Sequence, residues 1–239
     1  MKNADKKSGT LRGLLTAVAV NGAILLIVAV MYILLFSAKR GTLAVSASSP
    51  HFSAEGAVYK GASANNVALV IKLEWNTARL EELLAVLDAH GARATFAVSE
   101  SVLWENGASV RGIAARGHEI ALMCDDEKPS EAALRSALAA ADNASIARPE
   151  FYYCGRNADN AEKRTAKKLG LLPVIGSVDI VSQRGTKDEI LRRVRGGVSG
   201  GDIVILSPSA PLLEALDGML TFFSSAGLTA TTVSGTIYH

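Results

Sequence analysis

Short apolar runs alternate with amphipathic stretches from Val67 to the end of this chain, and no other feature restricts its fold as strongly. Val67–Leu73 precedes Thr77–Ala89, in which Leu80, Leu83, Leu84 and Leu87 fall on one helical face. Ala94–Val98 precedes Ala108–Ala115. His118–Leu122 precedes Pro129–Ala141, which opens on a proline and Glu131 as helices often do. Phe151–Tyr153 precedes Asn160–Leu169, closed by Gly170. Leu172–Ile175 precedes Lys187–Val194, Asp202–Leu206 precedes Pro211–Ala226 and Gly227, and Thr229–Val233 reads as a last strand. Strict alternation of strands and helices predicts an α/β fold on a parallel sheet. Periodicity alone fits an open doubly wound sheet and a barrel equally well.

The chain before Val67 obeys different rules. Gly13–Ala38 contains no charged residue, and a helix needs about 20 apolar residues to cross the hydrocarbon core of a bilayer. The segment is therefore predicted as a transmembrane helix. A secretory signal has a shorter apolar region, about 7–15 residues; cleavage near Ala44-Val45-Ser46-Ala47 is the competing reading. Lys2, Lys6, Lys7 and Arg12 precede the span, and only Lys39 and Arg40 follow it closely. The richer side stays in the cytoplasm, so the remainder is expected outside a bacterial cytoplasmic membrane. The domain map is then 1–12 basic segment, 13–38 span, 39–63 tether and 64–239 folded domain. Thr42–Ser63, rich in Ala, Ser and Gly, carries no sustained periodicity.

The formal charge of +2 hides an uneven distribution. Residues 1–40 hold six Lys/Arg and one acid, which leaves 19 bases and 22 acids beyond them, a net of −3. Nucleic-acid binding rests on neutralising phosphates, and this domain has no basic surplus for it. Nucleic acid is excluded as a partner.

Val67-Ala68-Leu69-Val70-Ile71-Lys72-Leu73-Glu74-Trp75, then His90-Gly91-Ala92-Arg93-Ala94-Thr95-Phe96, then Ala115–Met123 and Ala147–Phe151 follow one another in a recognisable order. Over roughly Asn66–Val233 that order resembles the NodB-type polysaccharide deacetylases, carbohydrate esterase family 4, and is especially similar to their sporulation-type branch. The resemblance implies a distorted (β/α) barrel of about seven parallel strands, with chemistry at the C-terminal ends of the strands. It also implies bacterial wall glycan as the ancestral ligand class. Active relatives hydrolyse an N-acetyl group with a divalent metal, an Asp base and a His acid.

The resemblance places unsuitable groups at those positions. The base falls on Lys72 and a metal ligand on Leu73; the pair of metal-binding imidazoles falls on Met123 and Glu127; the acid falls on Ser207, in Ile205-Leu206-Ser207-Pro208. An ammonium only donates, and leucine has no lone pair. The expectation is a protein without metal cofactor or deacetylase chemistry, acting as a glycan-binding or scaffolding module for wall glycan or an envelope protein. The alternative is an active N-deacetylase whose site is rebuilt from Glu74, Asp125, Asp126 and Glu127, oxygen ligands suited to magnesium or calcium. A third reading closes the old cleft with Met123 and Leu73 and leaves a protein–protein module.

Trp75, Tyr152 and Tyr153 are candidates for a ring platform under a sugar, or for half-buried lining. Glu74 and Arg148 are further binding candidates, Arg148 through the resemblance of Arg148-Pro149-Glu150-Phe151 to the family's R-P-P-Y. The four histidines, His51, His90, His118 and His239, are expected to be ordinary surface or structural residues. Ser207 lacks a nucleophile-elbow setting, and Gly196–Gly201 precedes a strand, so it is a turn rather than a phosphate loop. The only cysteines, Cys124 and Cys154, end consecutive strands of the implied barrel. Neighbouring strand tips lie within disulfide reach. A bridge across the former site and two buried thiols both remain open.

Overall fold

The computed structural model describes Met31 and residues 49–73, 79–124, 129–180 and 185–238. The chain divides into two compact units, Met1–Ser46 and Ala47–His239. Of the first unit only Met31 is described, so segment 1–12 and the span Gly13–Ala38 lie outside the described residues. Among the described residues no helix is long and apolar enough to cross a membrane.

The second unit carries the sheet. Its strands are β1 (His51–Phe52), β2 (Val58–Lys60), β3 (Asn66–Leu73), β4 (Thr95–Val98), β5 (Glu119–Leu122), β6 (Phe151–Tyr153), β7 (Leu172–Val174), β8 (Val178–Asp179), β9 (Ile203–Leu206) and β10 (Thr229–Thr231). Between them run α1 (Leu80–Ala89), α2 (Glu100–Ala115), α3 (Glu131–Asn143), α4 (Asn160–Lys168), α5 (Lys187–Gly197) and α6 (Ala210–Ser225), and α7 (Val233–Ile237) ends the fold. The order across the sheet is β1-β2-β7-β6-β5-β4-β3-β9-β8, with β10 beside the start of β3. Every pairing from β7 to β8 is parallel, and β1–β2 is antiparallel. An antiparallel bridge from Lys60 to Asp202, and a 2.7 Å hydrogen bond from the Gly61 amide to the Gly201 carbonyl, tie β2 to the start of β9. The sheet is thereby curled into an incomplete barrel.

Side-chain alternation along the strands builds two cores. Leu69, Ile71, Leu73, Phe96, Val98, Leu122, Tyr152, Val204 and Leu206 face outward into the layer shared with the helices. Ala68, Val70, Ala97, Ala121, Met123, Phe151, Val174 and Ile205 fill the interior. Three alanines on adjacent strands keep that interior narrow enough for side chains to close it. Val233 and Ile237 of α7 join the inner cluster and plug the lower end.

Local signals place the helices. Ser99, Ser130, Asp159, Thr186 and Ser209 each accept an amide hydrogen bond as N-caps, and Thr186 with Glu189 completes a capping box. α2 starts eight residues before the expected Ala108, because it carries a kink at Asn106 (φ −128°) that breaks the apolar period. Gly107 lies at the bend, where an added Cβ would come within 3.2 Å of the Ala144 methyl.

Three expectations are corrected. The tether over Thr42–Ser63 is shorter, since β1 and β2 lie within it and Val58 pairs with Val174. A separate strand, β8, follows β7; Gly176 turns the chain there with φ +82°, and a Cβ at that point would collide with Ile205. The final segment Thr229–Val233 is a strand only to Thr231, and the Thr232 hydroxyl caps α7 by accepting from the Gly235 amide at 3.1 Å.

Candidate functional site

The C-terminal ends of β3, β5, β6, β8 and β9 form the mouth where chemistry would be sought. Lys72 shares a strand face with Ala68 and Val70, so it projects toward the interior and is half-buried. Its ammonium stands 5.9 Å from the centroid of the Tyr153 ring, within reach of a cation–π interaction. Tyr153 packs against the inner cluster, and Met123 is buried within it. Ser207, one step past Leu206, is half-buried on the same side as Ile205 by strand alternation. These four are brought together around the mouth.

Leu73 is not. It is 1 % exposed and faces the outer layer. There it lines a hollow of about 120 Å³ with Leu80, Leu83, Pro208 and Leu213. The cleft is therefore not closed by Leu73, and of the proposed pair only Met123 faces the interior. Glu74, Trp75, Asp125, Asp126 and Glu127 lie outside the described residues, as does His239.

A catalytic divalent metal, which the fold implies, does not fit the described groups here. Lys72 cannot ligate a cation while protonated, Met123 offers only a weak thioether, and Ser207 offers one neutral hydroxyl. Among the described residues no three of His, Cys, Asp or Glu converge so as to hold a metal ion. No step through a metal is derived.

Two binding candidates are corrected. Tyr152 points outward and is 1 % exposed, so it offers no open ring face to a sugar. Its hydroxyl donates to Glu162 Oε1 at 2.8 Å beneath α4. Burial raises both acidities' pKa values: it is the largest cause for the Tyr152 phenol and for the Glu162 carboxyl. Arg148 precedes β6, at the opposite end from the mouth, and donates to the Leu169 carbonyl at 2.9 Å. It braces the end of α4 rather than a site residue. Tyr153 keeps its place in the mouth.

Cys124 and Cys154 stand as separate thiols, both on the outer face, where they pack against the outer core. Cys154 Sγ lies 3.4 Å from the Val174 carbonyl oxygen. Burial, then the nearby Glu162 charge, pushes its thiol up to about 12. In this structure the two are not bridged to each other.

None of the described histidines reaches the mouth. His90 pairs with Asp217 at 2.9 Å on the surface, and His51 lies against Tyr59. His118 is buried at the start of β5; its Nδ1 accepts from the Ala94 amide at 3.3 Å, which leaves the proton of the neutral ring on Nε2. Burial, then the Arg93 charge, lowers its pKa to about 4.

Arg156 and Asp179 also stand at the mouth, in strand-end stretches where chemistry was to be sought, but sequence reasoning gave neither a role. Arg156 donates to the Ser177 carbonyl at 3.2 Å, and its Nε stands 4.0 Å from the Asp179 carboxylate. Both depend on β8, a two-residue strand too short to leave a periodic signal.

No family profile matches the sequence, and no curated protein matches it. Solved structures do. A CE4 family pseudoenzyme from Bacillus anthracis superposes with a TM-score of 0.71 at 20% identity, over 77% of this chain and 69% of that one. A peptidoglycan N-acetylglucosamine deacetylase gives 0.68 at 18% identity over 75% and 92% of the two chains. A family 4 carbohydrate esterase from Bacillus subtilis gives 0.65 at 18% identity over 76% and 85%. The fold is thus the NodB-type fold of the family 4 carbohydrate esterases. At these identities the likeness establishes architecture.

Proposed function

We propose that the chain is a membrane-tethered, deacetylase-like protein of the bacterial envelope that binds or scaffolds wall glycan without deacetylating it. The observation that carries the reading is Lys72, an interior-facing cation at the position where a carboxylate base would have to stand. Met123 and Ser207 beside it replace groups that would bind metal and donate a proton. The Val67–Trp75 run adds the sporulation-type branch to this reading. Tyr153, partly open at the mouth, supplies the ring against which a sugar's CH face can stack. The uncharged Gly13–Ala38 segment and the lysines before it support a single crossing with residues 41–239 outside.

Co-sedimentation of the unit Ala47–His239 with purified peptidoglycan tests the binding role. The expected result is saturable binding that Tyr153→Ala weakens while the melting temperature is kept; no binding at any concentration contradicts it. Protease added to intact protoplasts tests the tether. Removal of the folded unit with an anchored stub left behind is expected, and protection of the whole chain contradicts the orientation.

A further inference from the structure

The kink in α2 falls on a reactive dipeptide. Asn106 takes φ −128° and ψ 26° inside the helix, and Gly107 follows it. Both are half-buried. Among the described residues no side-chain hydrogen bond holds the Asn106 carboxamide. An asparagine side chain can close a five-membered imide ring on the amide nitrogen of the next residue. Glycine obstructs that closure least, because it has no Cβ beside the attacking nitrogen. A regular helix opposes it, since its ladder fixes φ and ψ and engages the backbone amides. At Asn106 the ladder is interrupted.

Elsewhere between Ala47 and His239 every asparagine precedes a residue with a Cβ. The chain's other Asn-Gly pair, Asn21-Gly22, lies outside the described residues. Asp217-Gly218 has the atoms for the same ring, yet it lies within the continuous helix α6, and its carboxylate stands 2.9 Å from His90 Nε2.

We propose that Asn106-Gly107 is a site of spontaneous modification, at which the asparagine is converted to aspartate and isoaspartate. Hydroxide removes the Gly107 amide proton, and the nitrogen attacks the Asn106 carboxamide carbon. A C–N bond to Gly107 forms, the bond to the side-chain nitrogen breaks, and ammonia leaves after taking a proton from water. Water then opens the imide at one of its two carbonyls. Opening at the side-chain carbonyl gives aspartate; opening at the backbone carbonyl leaves Gly107 linked through the side chain, as isoaspartate. The isoaspartyl product carries one extra backbone carbon where there is little slack. A Cβ on Gly107 would already come within 3.2 Å of the Ala144 methyl, and Arg111 Nη1 donates to the Ala144 carbonyl at 2.9 Å. The added carbon displaces one of these contacts, so the modified α2 packs less well on the end of α3.

Ageing the purified full chain in mildly alkaline buffer, followed by peptide mapping and isoaspartate-specific methylation, tests this. Asn106 should convert about tenfold or more faster than Asn143, which precedes Ala144. Gly107→Ala should slow conversion by a similar factor. Asn106→Gln should remove it at that position while keeping the glycine and its fit against Ala144. The isoaspartyl form, separated by its added charge, should melt about 2–4 °C below the parent. An intact Asn106 in a chain whose Asn143 has converted would overturn the proposal. So would conversion at Asn106 that occurs only after unfolding in urea, because the folded helix would then shield it. An isoaspartyl form that melts like the parent would overturn the assigned effect on α2–α3 packing.

Discussion

The two ends of the barrel carry opposite chemistry. At the N-terminal ends of the strands, polar side chains are buried and joined. Asp202 accepts from the Ser199 amide at 2.7 Å, the Ser177 hydroxyl at 2.8 Å and the Ser199 hydroxyl at 2.9 Å, and pairs with Lys60 at 3.2 Å. Burial alone would raise its pKa, yet these hydrogen bonds hold it below the usual value. Thr95 donates to Glu119 at 2.6 Å and accepts from the Val233 amide at 2.8 Å, locking α7 beneath the sheet. At the C-terminal ends the described residues offer Lys72 over a tyrosine ring, a buried Met123 and Ser207. In barrel enzymes the C-terminal end carries catalysis and the opposite end carries stability. Among the described residues the joined, buried polar network gathers at the stabilising end.

The sharpest way to break that contrast is at Asp202. Asp202→Ala leaves the Ser199 amide, two hydroxyls and Lys60 without their acceptor, and should cost about 3–5 kcal/mol in urea unfolding. A loss below about 1 kcal/mol would mean the lower network matters little. Next comes acid. His118 has a folded pKa of about 4 against an ordinary 6.5, so between those values the unfolded chain binds more protons. Stability should therefore fall by about 3 kcal/mol as pH drops from 6.5 to 4. His118→Asn, which keeps an acceptor but cannot titrate, should flatten that part of the curve, and an unchanged slope would refute the assignment. Tyr152→Phe strips the hydroxyl from Glu162 on the outer face and should cost about 1–2 kcal/mol by thermal melting. The smallest effect belongs to the mouth: Lys72→Met should alter stability by less than about 1 kcal/mol. A cost there equal to that at Asp202 would make the mouth a structural element and erase the contrast.

The sequence made the central alternation plain because β3 and the leucines of α1 have strong periods. Seven consecutive parallel strands and the surviving motifs then matched the implied barrel. Orientation at the site was readable in part. Period two sends Leu73 and Tyr152 outward once Lys72 and Tyr153 face inward, so adjacent positions on these strands could not both line the mouth. Arg148 was misplaced because a motif gives position along the chain and not which end of a strand it occupies. The β1–β2 hairpin left no signal, since strands of two and three residues are too short to show a period. Their pairing depends on β7 and on Asp202, far along the chain. Whether two strand-end cysteines bond is a matter of side-chain direction and redox environment, neither of which spacing encodes.

The most direct measurement is acetate release by the purified unit Ala47–His239 from N-acetylated chito-oligosaccharides and acetylated peptidoglycan. Zinc, cobalt or manganese is added in turn, with magnesium and calcium as further arms. The account predicts release no faster than buffer with each metal, because Lys72, Met123 and Ser207 cannot assemble a metal-activated water, a base and an acid. Metal-dependent release that disappears on Glu74→Ala or Asp125→Ala would contradict it and establish an active deacetylase with a rebuilt carboxylate site.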